Sequence, residues 1–94
     1  MFKIIYNPEV FFEIQEIVDW YNRQQSGLGN RFFQVLKENL IQLPRYASLF
    51  AVRYDDIRCM PVRKFPYLIH YRVDETKKVI KVEAIQSTYR APHI

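Results

Sequence analysis

Residues 67–85 read YLIHYRVDETKKVIKVEAI, and this stretch decides the fold. Tyr67, Ile69, Tyr71 and Val73 alternate with Leu68, His70 and Arg72; after the polar run Asp74 to Lys78, Ile80, Val82 and Ala84 alternate with Lys81, Glu83 and Ile85. A period of two marks a half-buried strand, and two such runs joined by a polar turn read as neighbours in an antiparallel meander. With the first-named set of each strand turned inward, the opposite face displays His70, Arg72, Lys81 and Glu83. The preceding strand is expected over 57–65 and adds Arg63 to that face. It follows the turn signal Asp55-Asp56, before which a further strand is expected over 49–54. Pro66 punctuates the run, and Pro61 within it argues for a bulge or an edge, because proline withdraws a ladder donor.

The first half keeps a different period. Phe2 to Tyr6 is short, apolar and β-prone, and Asn7-Pro8 then suits a helix entry. Val10, Phe11, Ile14, Ile17, Val18 and Tyr21 recur at helical spacing, with Glu13, Gln15, Glu16, Asp19 and Asn22 between them. That helix is expected to stop near Gln25, where Ser26, Gly27 and Gly29 supply the left-handed residues a helix end favours. A second helix, about 29–43, buries Phe32, Val35, Leu36, Leu40 and Leu43 and is expected to close at Pro44, which cannot continue the hydrogen-bond ladder. The link is short enough to make the helices an antiparallel hairpin. The fold class is therefore α+β: an N-terminal strand, an antiparallel two-helix hairpin and an antiparallel β-meander, in one domain over 1–94.

Composition narrows the function classes. The chain is 49% hydrophobic with only two glycines, which excludes a disordered polymer. Lone Cys59 has no internal disulfide or thiolate partner, no apolar run reaches the roughly 20 residues of a membrane span, and the start MFKIIYNPEV does not read as a signal peptide, so a cytoplasmic protein is expected. Residues 1–47 carry five basic and five acidic side chains and residues 48–94 carry nine and five, so the whole excess of +4 lies in the sheet-forming half. A surface of that sign suits an anionic partner, though a solvated lysine-rich face accounts for it equally well.

The sequence contains no phosphate loop, dinucleotide turn, metal-spaced His or Cys cluster or serine elbow, and neither cofactor nor metal is expected. On a strand with apolar neighbours His70 reads more readily as structural than as a general base. Cys59 reads as a small buried or half-buried hydrophobe rather than a nucleophile, His93 is terminal, and Trp20 and Tyr21 read as hairpin packing.

The order of elements and several short motifs resemble the RelE/ParE superfamily of type II toxins. They are Gln25-Ser26-Gly27-Leu28-Gly29-Asn30-Arg31-Phe32 between the helices, Ile57-Arg58-Cys59, Arg63 to Tyr71 with its Phe65-Pro66-Tyr67 strand opening, Val82-Glu83-Ala84-Ile85, and Arg90-Ala91-Pro92. The resemblance spans nearly the whole chain and is closest to the ParE-like, plasmid-stabilisation type. It implies a bacterial toxin neutralised by a cognate antitoxin whose acidic or amphipathic segment covers the basic surface. It also implies one of two targets, DNA gyrase or messenger RNA on the ribosome.

Cleavage of RNA through the neighbouring 2′-hydroxyl needs a group to take a proton, one to give a proton and cations for the phosphate. In the ribosome-dependent relatives a basic pair on the strand before the turn, an arginine after the strand-opening tyrosine and a histidine near the last strand's end fill these roles. Aligned through Tyr67, those positions hold Cys59, Pro61, Leu68 and Ser87 here. Arg63, His70, Arg72, Tyr89 and Arg90 are the remaining catalytic candidates, with Arg90 to hold phosphate and Tyr89 to stack or donate a proton. Arg58, Arg63, Lys64, Arg72, Lys81 and Arg90 are the candidates for target binding. Three readings follow: a toxin that acts by binding gyrase or a similar protein, an mRNA endoribonuclease, and a non-toxic member that retains only antitoxin binding.

Overall fold

In a computed structural model describing residues 2–89, a five-stranded sheet of order β1-β5-β4-β3-β2 carries a two-helix hairpin on one face. The elements run β1 (Lys3–Tyr6), α1 (Glu9–Gln24), α2 (Leu28–Tyr46), a single 3-10 turn (Ala47–Leu49), β2 (Val52–Tyr54), β3 (Ile57–Pro61), β4 (Tyr67–Asp74) and β5 (Val79–Ser87). Strands β2 to β5 form the expected antiparallel meander, and β1 joins its edge parallel to β5, pairing Ile4 with Ile80 and Tyr6 with Val82. The sheet is therefore mixed.

Two local sequence signals set the hairpins. Asp55 and Asp56 both take positive φ, 44° and 63°, the backbone of a two-residue connection between β2 and β3 whose twist matches the flanking strands. At the helix link Gly27 has φ 86° and begins α2, whereas Gly29 is needed for a different reason. A Cβ on Gly29 would overlap the Val18 carbonyl oxygen and the Asn22 side chain. Helices α1 and α2 thus approach backbone to backbone there, and Asn22 Oδ1 accepts the Gly29 N–H at 2.7 Å.

Four expectations are corrected. Helix α2 does not close at Pro44 but continues to Tyr46 and the turn beyond it. One missing donor in the last turn is outweighed by burial of Leu43 and Ala47, and the Ala47 carbonyl accepts the Tyr71 hydroxyl at 2.6 Å. The strand expected at 49–54 shrinks to Val52–Tyr54, its start being used by the 3-10 turn. The strand expected over 57–65 stops at Pro61: the next residues turn, with Lys64 at φ 69°, and swing Phe65 into the core. Pro61 itself lies beyond the reach of short β2, where the far side of β3 is an edge and the lost donor breaks no ladder.

The fourth correction lies in β5. His70 pairs with Ala84 and Tyr71 with Val82, so Glu83 is an extra residue, a β-bulge. Beyond it the inward phase reverses. Ile85, not Ala84, enters the core beside Ile69, and Ala84 shares the outer face with His70. The core otherwise follows the sequence: Val10, Ile14, Ile17, Phe32, Leu36 and Leu43 of the hairpin meet Met60, Ile69, Tyr71, Ile80 and Val82 of the sheet. At its centre Phe32 packs on Tyr21, Phe65 and Tyr67 with ring centroids 5.2–5.6 Å apart.

Candidate functional site

The basic residues singled out in the sequence do not converge. Arg72 and Lys81 face each other across β4 and β5 on the outer side of the sheet. Glu83 lies between them, 3.0 Å from Arg72 and 3.8 Å from Lys81, and Arg72 also donates to the Asp55 carbonyl. Arg63 and Lys64 sit in the β3–β4 turn, past the other end of β4. From Arg72 to Tyr67 alone is roughly 16 Å at about 3.3 Å per residue. Arg63 is not on the outer face as expected. Its strand has ended, and its guanidinium turns to Glu38 of α2 at 2.5 Å. Arg58 pairs with Tyr71, which puts it on the helix side, where it donates to the carbonyls of Phe50 and Ser48. Tyr89 is 88% exposed near the Arg63 end, and Arg90 lies outside the described residues.

His70 occupies the middle of the outer face, yet it is 1% exposed. The β2–β3 hairpin closes over it: Tyr54 Oη lies 2.8 Å and Cys59 Sγ 3.5 Å from Nδ1. Burial lowers the His70 pKa, and the Arg53 charge lowers it further. Burial raises the Cys59 thiol and the Tyr54 phenol above their ordinary values, with Arg53 pulling the other way on both. The group is therefore a neutral ring beside a protonated phenol and a protonated thiol, the opposite of the thiolate–imidazolium pair that a nucleophilic cysteine requires. Tyr54 and Arg53 were not legible as partners of His70 until the register paired Cys59 with His70 and Tyr54 with Ile57.

A groove of about 480 Å³ opens at another place, between α1 and the end of β5. Glu13, Glu16, Asp19 and Trp20 line its helical wall, and Ile85 and Ser87 lie on the strand side. Here the expectation that Trp20 packs the hairpin is half met: its ring meets Tyr21 edge-on at 5.1 Å, but the residue is 48% exposed. Among the described residues no cluster of His, Cys, Asp and Glu is placed to hold a metal, and no helix is long and apolar enough to cross a membrane.

Comparison with known proteins gives a consistent answer. The family model for the ParE toxin of the type II toxin-antitoxin system parDE matches residues 4–92. Ten chains of solved structures match, among them a chain of the chromosomal ParDE toxin-antitoxin system from P. aeruginosa. It is 19% identical, with a TM-score of 0.80 over 93% of this chain and 96% of that one. At that identity the likeness establishes the fold. No curated protein sequence matches.

Proposed function

The chain belongs to the ParE toxin family of type II toxin-antitoxin systems, and from that membership we propose that it arrests growth in the cytoplasm by binding an essential target, DNA gyrase, and is neutralised by a cognate antitoxin. The observation that carries the choice of binding over cleavage is the closed state of Cys59 and His70. An RNase of the related kind needs exposed cations and a proton acceptor side by side at the scissile phosphate. Here the aligned positions hold Cys59, Pro61, Leu68 and Ser87, and Cys59 is a buried, protonated thiol against a neutral imidazole under Tyr54. The exposed cations that remain, Arg72 and Lys81 at one end and Arg63 and Lys64 at the other, are spread as a recognition surface would be. An exposed residue such as Arg72 can leave Glu83 for a target carboxylate or phosphate at little cost, because exposed ion pairs are weak.

Induced expression of the chain alone tests the proposal. Filamentous cells with DNA-damage signalling and continuing protein synthesis are expected, relieved by coexpression of the antitoxin. Rapid arrest of protein synthesis with cut messages would overturn the gyrase reading, and normal growth would overturn toxicity.

A further inference from the structure

The outer face of the sheet carries a second, smaller buried cluster, separate from the core beneath the helix hairpin. Ile57 and Cys59 lie two residues apart on β3 and so share a face, Cys59 pairs with His70 of β4, and all three are buried. Strand β2 covers them: Tyr54 pairs with Ile57 and reaches His70 Nδ1 at 2.8 Å, its ring tilted edge-on to the imidazole with centroids 5.8 Å apart. This cover is slight. Strand β2 has three residues, Val52 and Arg53 are exposed, and its ladder pairs Val52 with Arg58 and Tyr54 with Ile57 across a register shift. Among the described residues the core beneath the helices takes none from β2. A segment with so short a ladder and no share in the core opens more readily than the fold as a whole.

The groups around His70 make it the weak point of this closure in acid. From β2 come the Arg53 guanidinium and the Tyr54 phenol, and from β3 the Cys59 thiol. Its own strand adds Arg72 two residues on, and β5 sets Ala84 opposite with the bulge residue Glu83 beside it. The Glu83 oxygens are already held by Arg72 and Lys81, and the Asp55 carboxylate, at the hairpin turn, is felt at Tyr54. A proton on His70 therefore creates a buried cation between guanidinium groups, with the carboxylate of its own face already paired. Burying such a charge is costly. The protein avoids it while the ring stays neutral, or by lifting the cover so that water reaches the ring.

We propose that strand β2 is an acid-operated latch: when His70 takes a proton, Val52–Tyr54 lift from the outer face and admit water to Cys59 and His70, while the helix hairpin and the other four strands stay folded. The exposed ring of the open form binds the proton more tightly than the buried ring of the closed one, so opening gains as pH falls below about 6.5. Opening bares Ile57, Cys59 and His70 in the middle of the outer face, beside Arg72. The surface offered to any partner there then differs between neutral and acid conditions. The latch is independent of the toxin reading above.

Cys59 is the one cysteine of the chain, so its thiol reports opening directly. The purified full chain is reacted with dithiodipyridine, which attacks thiols in acid as well as at neutral pH, and each rate is divided by that of a short cysteine peptide at the same pH. Helical circular dichroism and Trp20 fluorescence are followed alongside. Between about pH 7.5 and about pH 5.5 the corrected rate is expected to rise by about threefold or more with both structural signals unchanged. The rise should vanish in His70→Gln. Tyr54→Phe should label about fivefold faster at neutral pH, the worth of one hydrogen bond. A rate that stays constant with pH overturns the latch, as does a rise that His70→Gln keeps, a rise that accompanies loss of the helical signal, or a Tyr54→Phe variant that labels no faster. If His70→Gln does not fold, the unaltered chain and Tyr54→Phe decide between these outcomes.

Discussion

On the helix side of the sheet, Ile69, Tyr71, Ile80, Val82 and Ile85 are buried against the hairpin, whereas on the outer side the same two strands carry His70, Arg72, Lys81 and Ala84, of which only His70 is closed off. The inward side chains are sealed by shape: aromatic rings at 5–6 Å and helices that touch at a glycine. The outward ones are held by charge and by one short hairpin reaching over from β2. The difference teaches where each property of the protein resides. Stability is concentrated on the helix face, where area is removed from water and packing leaves little slack. The proposed target binding is placed on the outer face, where side chains can change partners at small cost.

Substitutions should break that contrast in a graded way. Phe32→Ala removes the ring at the centre of the aromatic cluster and is expected to destabilise by about 4 kcal/mol, measured as a shift in urea midpoint. Gly29→Ala is next, at about 3 kcal/mol, because the added methyl meets a backbone oxygen of α1 that cannot rotate away. A loss below about 1 kcal/mol for either would mean that the hairpin is not docked as described.

The buried outer residue gives a pH test. His70 is held below its ordinary value of 6.5, so the unfolded chain binds the proton more readily than the folded one. Its contribution is then full above about pH 6.5 and is lost as pH falls through that value towards the folded pKa. The difference in stability between the unaltered chain and His70→Gln should shrink or reverse in acid, and a difference that grows in acid would contradict a neutral buried ring. The smallest effect belongs to Arg72→Ala, about 1 kcal/mol or less, since its pair with Glu83 is still reached by solvent, the two side chains being 44% and 20% exposed. If Arg72 lies in the target surface, the same variant should lose toxicity while keeping its melting behaviour.

Element types were legible in the sequence because each keeps its period: 3.6 through Val10, Ile14, Ile17 and Tyr21, and two through Tyr67 to Val73. What was not legible depended on single residues where tertiary contacts override pattern. Nothing in Val82-Glu83-Ala84-Ile85 announces that Glu83 is the bulge; that follows from β4 having to set Tyr71 against Val82 and Ile69 against Ile85 at once. Pro44 misled because the burial of Ala47 lies downstream of it. At the candidate site the charges were visible but their partners were not, since Glu38, Glu83 and the carbonyls of Phe50 and Asp55 come from elsewhere in the chain. The length over which β1 pairs with β5 was invisible for the same reason: among the described residues that pairing ends at Tyr6 and Val82.

The proposal that this ParE-family chain acts by binding gyrase is tested most directly by titrating purified chain into a gyrase supercoiling reaction, with and without the antitoxin. The account predicts that supercoiling falls as chain is added and recovers when antitoxin is supplied in equal amount. Unchanged supercoiling, together with cleavage of messenger RNA in a translating extract by the same preparation, would contradict it.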